Sequence, residues 1–134
     1  MHREKKETDK NYVVIRFEEG TCSARVGMSL RGGQQPVTLG GDHCFDASVI
    51  HEFLHSFGIK HEQARPDRND YVSIHFEYVK EKYKHNFNIC TGCSTFNLPY
   101  DGKSLMHYSA YAFTIDYGIP TIESKVGTYY VGSI

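Results

Sequence analysis

Residues 51–61 read His-Glu-Phe-Leu-His-Ser-Phe-Gly-Ile-Lys-His, which places three imidazoles and one carboxylate at the offsets H-E-x-x-H-x-x-G-x-x-H. Side chains four apart share one face of a helix, so His51 and His55 can converge on a single ion. Glu52 adjoins the first of them and can reach a metal-bound water without itself binding the metal. Gly58 can take up a positive φ and reverse the chain, which brings His61 back as a third ligand. Three protein ligands leave one position of a tetrahedral zinc ion open for water, as in a catalytic rather than a structural site. The plain alternative is an amphipathic helix whose polar face carries two histidines by coincidence. Gly58 and His61 at fixed further offsets weigh against it.

A second element lies downstream, where residues 104–108 read SLMHY. Met106 taken alone would be an ordinary core methionine. After a long zinc motif a methionine turn is the expected companion, and Met106 then reads as a hydrophobic floor under the three imidazoles. His43, His75, His85 and His107 have no ligand spacing with one another and read as surface or core residues. Arg65, Asp67 and Arg68 read as an ion-pair network that locks a turn. The pair Cys90 and Cys93 admits a redox motif, half of a zinc site or a local disulfide. The first needs a thioredoxin-like βαβ context and the second another cysteine pair, so the local disulfide is preferred.

The elements that must carry these groups follow from periodicity. Residues 11–17 (NYVVIRF) are β-branched and aromatic and predict a strand. Residues 22–26 and 36–39 (PVTL) predict two more, with the glycine pairs 32–33 and 40–41 as turns. From about Phe45 to Phe57 the pattern turns helical. Phe45, Val49, Ile50, Phe53, Leu54 and Phe57 fall on one half of the wheel and His51 and His55 on the other, with Gly58 as C-cap. Beyond it, residues 71–76 alternate like a short strand, residues 77–85 suggest a turn or two of helix, and the rest reads as loops. The expected class is α+β: a mixed sheet plus the active-site helix in an upper part, residues 11–58, and a loop-rich lower part, residues 59–134. Residues 1–10, seven of them charged, read as a disordered lead without the apolar stretch of a signal peptide.

Composition narrows the function classes. The chain has 134 residues, 15 Lys and Arg against 16 Asp and Glu, and a net charge of −1. That balance offers no basic footprint for nucleic acid. No apolar run approaches the roughly 20 residues that span a bilayer. Four cysteines in so short a chain fit a disulfide-stapled extracellular domain.

At these residues the chain resembles the astacin family of metzincin endopeptidases. The match continues past the zinc motif, where residues 61–72 read HEQARPDRNDYV against the family pattern H-E-Q-x-R-x-D-R-x-x-Y-V. It takes in SLMHY and the upstream GGQQPVTL and covers roughly residues 11–126. The resemblance implies a zincin-like fold and one Zn2+ held by His51, His55 and His61. It implies Glu52 as general base and Tyr108 as an extra ligand that swings away to steady the tetrahedral intermediate. It also implies a disulfide between Cys22 and Cys44, and an edge strand formed by Cys22, Ser23, Ala24 and Arg25 along which an extended substrate lies. Secretion and a protein or peptide substrate follow from the same likeness.

The family domain is longer than this chain. The expected missing parts are a beginning, whose terminal ammonium would pair with Glu62, and an end with a helix and a further cysteine. Cys90 and Cys93 are not part of the common pattern. The leading function is therefore a zinc-dependent endopeptidase. Two others compete: a truncated homologue that binds zinc or peptide without cleaving, and a thiol-disulfide protein built on Cys90 and Cys93.

Overall fold

The structure, a computed structural model, describes residues 6–41, 44, 46–127 and 132. Residues 1–5 of the expected lead, His43 and Phe45 lie outside the described residues. The chain divides into two compact units, Met1–Ile59 and Lys60–Ile134.

The first unit is a three-stranded sheet and a helix. Strands β1 (Asn11–Phe17), β2 (Cys22–Ala24) and β3 (Gly33–Leu39) lie in the order β1-β3-β2. β1 runs parallel to β3 from Asn11 opposite Gly33 to Phe17 opposite Leu39, and β2 runs antiparallel to β3. β1 has the predicted bounds, whereas β2 stops before the predicted residue 26. The reason is Gly27, whose φ of +71° turns the chain out of the ladder and whose N–H donates to the His55 carbonyl at 2.8 Å.

β3 starts three residues before the predicted Pro36. A proline inside a central strand would delete a ladder bond. Here β2 pairs only with Val37 to Leu39, so Pro36 sits where β3 has no antiparallel neighbour.

Helix α1 spans Asp46–Ser56. It ends on Gly58 at φ +94°, with Gly58 N–H donating to the His55 carbonyl at 2.8 Å and Ile59 N–H to the Leu54 carbonyl at 3.1 Å. These two bonds form the Schellman motif that the glycine permits.

The orientation of α1 departs from an ordinary amphipathic helix. Its buried residues are His51, Glu52, His55 and Ser56, while Ile50 and Phe57 of the apolar half are 53% and 76% exposed. The polar face packs toward β2 and β3 because polar partners await it there. Glu52 accepts the Ala24 N–H, and the Gln35 side-chain amide donates to the Ser56 carbonyl at 3.4 Å. A disulfide joins Cys22 at the start of β2 to Cys44 ahead of α1.

In the second unit short 3-10 turns alternate with loops over one apolar core. The turns cover Glu62–Ala64, Arg68–Asp70, Phe76–Tyr78 and Glu81–Phe87. Strand β4 (Val72–Ile74) pairs antiparallel with β5 (Ile122–Ser124). The core is Val72, Val79, Phe87 and Ile122, with Tyr108 and Phe113 packed against it. Phe87 is fully buried and meets Phe76, Tyr108 and Phe113 edge-on at 6.3, 5.8 and 6.2 Å between ring centroids. Such T-shaped contacts add to area burial by setting positive ring edges against negative faces.

Arg65 bridges Glu62 at 3.0 Å and Asp67 at 2.8 Å, as the turn-locking reading expects. Arg68 does not join this network. It is buried, and its guanidinium donates to the carbonyls of Gln63 and Phe87 instead. Among the described residues no helix is long and apolar enough to cross a membrane.

Candidate metal centre

His51, His55 and His61 each offer a ring nitrogen, and these ligand atoms all lie within 4.8 Å of one another. His51 and His55 project from consecutive turns of the buried face of α1 and meet edge-on with ring centroids 4.5 Å apart. Gly58 delivers His61. The carbonyl of His55 accepts two N–H groups, from Gly27 and Gly58, each at 2.8 Å, so the backbone of this ligand is held from both sides.

The donor set fits zinc, and the hydrogen bonding supports that fit. Nδ1 of His55 lies 2.8 Å from the Ile59 carbonyl. A carbonyl only accepts, so the proton sits on Nδ1 and leaves the Nε2 lone pair for a metal. Burial, its largest influence, lowers the His55 pKa and favours the neutral ring that a metal requires.

Glu52 lies on the same buried face. Burial raises its pKa, against smaller opposing pulls from His51 and from the Ala24 N–H. A carboxylate shifted upward is a better proton acceptor near neutral pH than an ordinary surface glutamate.

In the second unit Tyr108 stacks obliquely on His61, with ring centroids 4.4 Å apart. Burial raises its pKa, which keeps the hydroxyl protonated and able to donate. Met106 is buried, and its carbonyl accepts the N–H of Glu62, the residue after His61, at 2.9 Å.

Two positions near the site went unremarked in the sequence. Gln63 is fully buried, and its side-chain oxygen accepts the Tyr108 N–H at 3.0 Å, which ties the segment after His61 to the turn that carries Tyr108. Tyr100 lies 2.6 Å from Nε2 of the fully buried His107, whose Nδ1 lies 2.7 Å from the Tyr108 carbonyl. That carbonyl requires an N–H donor, so Nε2 accepts from the Tyr100 hydroxyl and His107 is neutral. Only a fold that brings positions 45 apart in sequence back together reveals the Gln63 contact. The glutamine directly after the H-E pair was its sole signal.

His75 lies beside Glu123 at 3.1 Å, and His85 is exposed. Glu62, where an outside ammonium was expected, accepts from Arg65 at 3.0 Å and from the Asp101 N–H at 2.9 Å. Cys22, Ser23 and Ala24 form β2, and Arg25 follows its end. Cys90 pairs with Cys93, which sets aside the zinc-half-site reading of that pair.

Burial lowers the His107 pKa, against smaller raising effects of the Tyr108 carbonyl, Glu62 and Asp101. A histidine with a depressed folded-state pKa binds fewer protons folded than unfolded. Its contribution is therefore complete above the unfolded value of about 6.5 and is lost as pH falls below that. The urea midpoint is expected to drop between pH 7.5 and pH 5.5. A His107→Gln variant, whatever its absolute stability, is expected to show a shallower drop, and an identical slope would contradict the neutral assignment.

Together the helix with two ligands and the glycine turn with the third define a zinc-binding centre of the metzincin class. Known proteins agree. Residues 1–132 match the model of the Astacin peptidase family. Mouse meprin A subunit alpha is 37% identical over 122 residues, which are 90% of this chain and 16% of the meprin. Astacin-like metalloprotease toxin 5 of Loxosceles gaucho is 40% identical over 110 residues, 81% of this chain and 58% of the toxin. Among solved structures, high choriolytic enzyme 1, a hatching enzyme zinc-protease from the medaka Oryzias latipes, superimposes with a TM-score of 0.85 at 29% identity. That match covers 96% of this chain and 64% of the medaka protein. This chain belongs to the astacin family. It spans less than two thirds of the length of each of these relatives.

Proposed function

We propose that the chain is the catalytic centre of a zinc-dependent endopeptidase that hydrolyses internal bonds of protein or peptide substrates outside the cell. The observation that carries this reading is the convergence of three imidazole ligand atoms within 4.8 Å, with Glu52 on the same buried helix face. Held by His51, His55 and His61, a zinc ion would supply Lewis acidity toward the attacking water and the scissile carbonyl.

The chain's own residues do the rest. Glu52 takes the proton of the attacking water and hands it to the departing amine. The protonated Tyr108 hydroxyl, beside His61, donates to the oxygen on which negative charge develops, the kind of term that dominates acyl-transfer catalysis. Gln63 and the His107–Tyr100 pair hold the backbone of Tyr108, and the Met106 carbonyl holds the segment after His61 by accepting the Glu62 N–H.

Substrate would lie along the free edge of β2. Ala24 directs its N–H at Glu52, away from β3. In a strand the groups of residues two apart point the same way, so Cys22 and Ala24 present their outward carbonyls, and Cys22 its N–H, to an extended peptide. The two disulfides and the toxin and meprin relatives support an extracellular setting.

Zinc content measured alongside cleavage of an unfolded protein tests the proposal. One zinc per chain is expected, with cleavage that stops on chelation and returns on adding zinc. Zinc without cleavage would favour the binding-only homologue. Cleavage indifferent to chelator would overturn the metal mechanism.

A further inference from the structure

The loop between β2 and β3 has a composition that the catalytic reading does not use. From Thr21 to Gly41 the sequence carries two charges, both arginine, at 25 and 31. Between them Met28 is 65% exposed and Leu30 fully exposed. Arg25, Val26, Met28, Ser29, Leu30 and Arg31 line a hollow of about 510 Å³. Neither guanidinium has an acidic partner among the described residues.

The base of this loop is anchored at the metal centre. Gly27 donates to the carbonyl of the ligand His55, and a Cβ there would stand 3.6 Å from the Gly58 Cα. Both glycines hold positive φ, so two chain reversals lie back to back at the end of α1. The hollow therefore continues the edge of β2 on the side away from Cys22.

We infer that this hollow is a specificity subsite for an acidic residue flanked by apolar ones, on the N-terminal side of the bond to be cleaved. The inference rests on the proposed peptidase function. Three observations carry it. The hollow is continuous with the strand edge that passes Glu52. Its two positive charges lack acidic partners among the described residues. Its apolar side chains protrude where a substrate side chain would otherwise meet only water. The polarity follows from antiparallel pairing, the more stable of the two ladders. A peptide antiparallel to β2 has its N-terminal part at the Arg25 end. At about 3.3 Å per residue, the hollow meets side chains roughly two to five positions before the scissile bond.

The test is digestion of a mixed peptide library by the zinc-loaded full chain, with residues before each cut counted by mass spectrometry. Glu and Asp are expected to be enriched about tenfold over Lys and Arg at one or more of those positions, in keeping with partly exposed ion pairs. The preference should shrink in 1 M salt, where screening reaches about 3 Å. Arg31→Glu should reverse it. No charge preference at these positions, or one unchanged by Arg31→Glu, overturns the subsite.

Absence of any cleavage would instead count against the peptidase reading. In that event fluorescence anisotropy compares a labelled Glu-Leu-rich decapeptide with its Lys-Leu counterpart on the wild type and on Arg31→Glu. Tighter binding of the acidic peptide that Arg31→Glu abolishes supports the subsite. Equal binding of the two overturns it.

Discussion

Replacing Glu52 with Gln is expected to slow peptide hydrolysis by about 10²- to 10⁴-fold, the usual contribution of a positioned general base. Zinc content should stay at the wild-type level. The glutamine keeps the size of the side chain and retains an oxygen to accept the Ala24 N–H, so the buried face of α1 keeps its packing. The three ligands are untouched. What disappears is a group able to take a proton. Metal analysis by mass spectrometry and turnover of a quenched fluorescent peptide measure the two quantities on one preparation. A variant within tenfold of wild-type turnover would remove Glu52 from the mechanism, and a variant without zinc would make it a structural residue.

Truncating Phe87 to Ala should cost about 3–5 kcal/mol of stability, against a total of only about 5–15 for a typical domain. Phe87 is fully buried and touches Phe76, Tyr108 and Phe113, so its loss opens a void that its rigid aromatic neighbours cannot close. Its carbonyl also receives the buried Arg68 guanidinium, a charge that depends on correctly placed oxygens. Urea unfolding followed by tyrosine fluorescence measures the change. Activity of the remaining folded fraction should fall too, because Phe87 backs the ring of Tyr108. A loss below about 1 kcal/mol would mean that the cluster relaxes around the gap.

The ligand set was legible because each of its offsets has a local cause: a helical turn between His51 and His55, and a glycine reversal before His61. β1 was legible for the same reason, as an unbroken β-branched run. What depended on distant partners was not. β5 is three residues long and exists only because β4 lies beside it, so nothing in its own sequence marked it. The inward turn of the histidine face of α1 ran against its hydrophobic pattern. The polar groups of Ala24 and Gln35 decided that orientation, and a wheel diagram of α1 does not contain them. Cys90 and Cys93 left three chemistries open at their spacing, and only coordinates could pair them.

The Cys22–Cys44 bridge ties the first residue of β2 to the approach to α1 across 22 residues of chain. In a loop-entropy account, closing such a span contributes roughly 3 kcal/mol. The ledge on which a substrate would rest is thus fastened by a bond that abundant thiols can undo, and the same bond anchors the approach to the helix that carries His51 and His55. A molecule kept under reducing conditions would lose that anchorage at both ends of the bridge. Closing this one bond would then set the strand edge and the helix approach together.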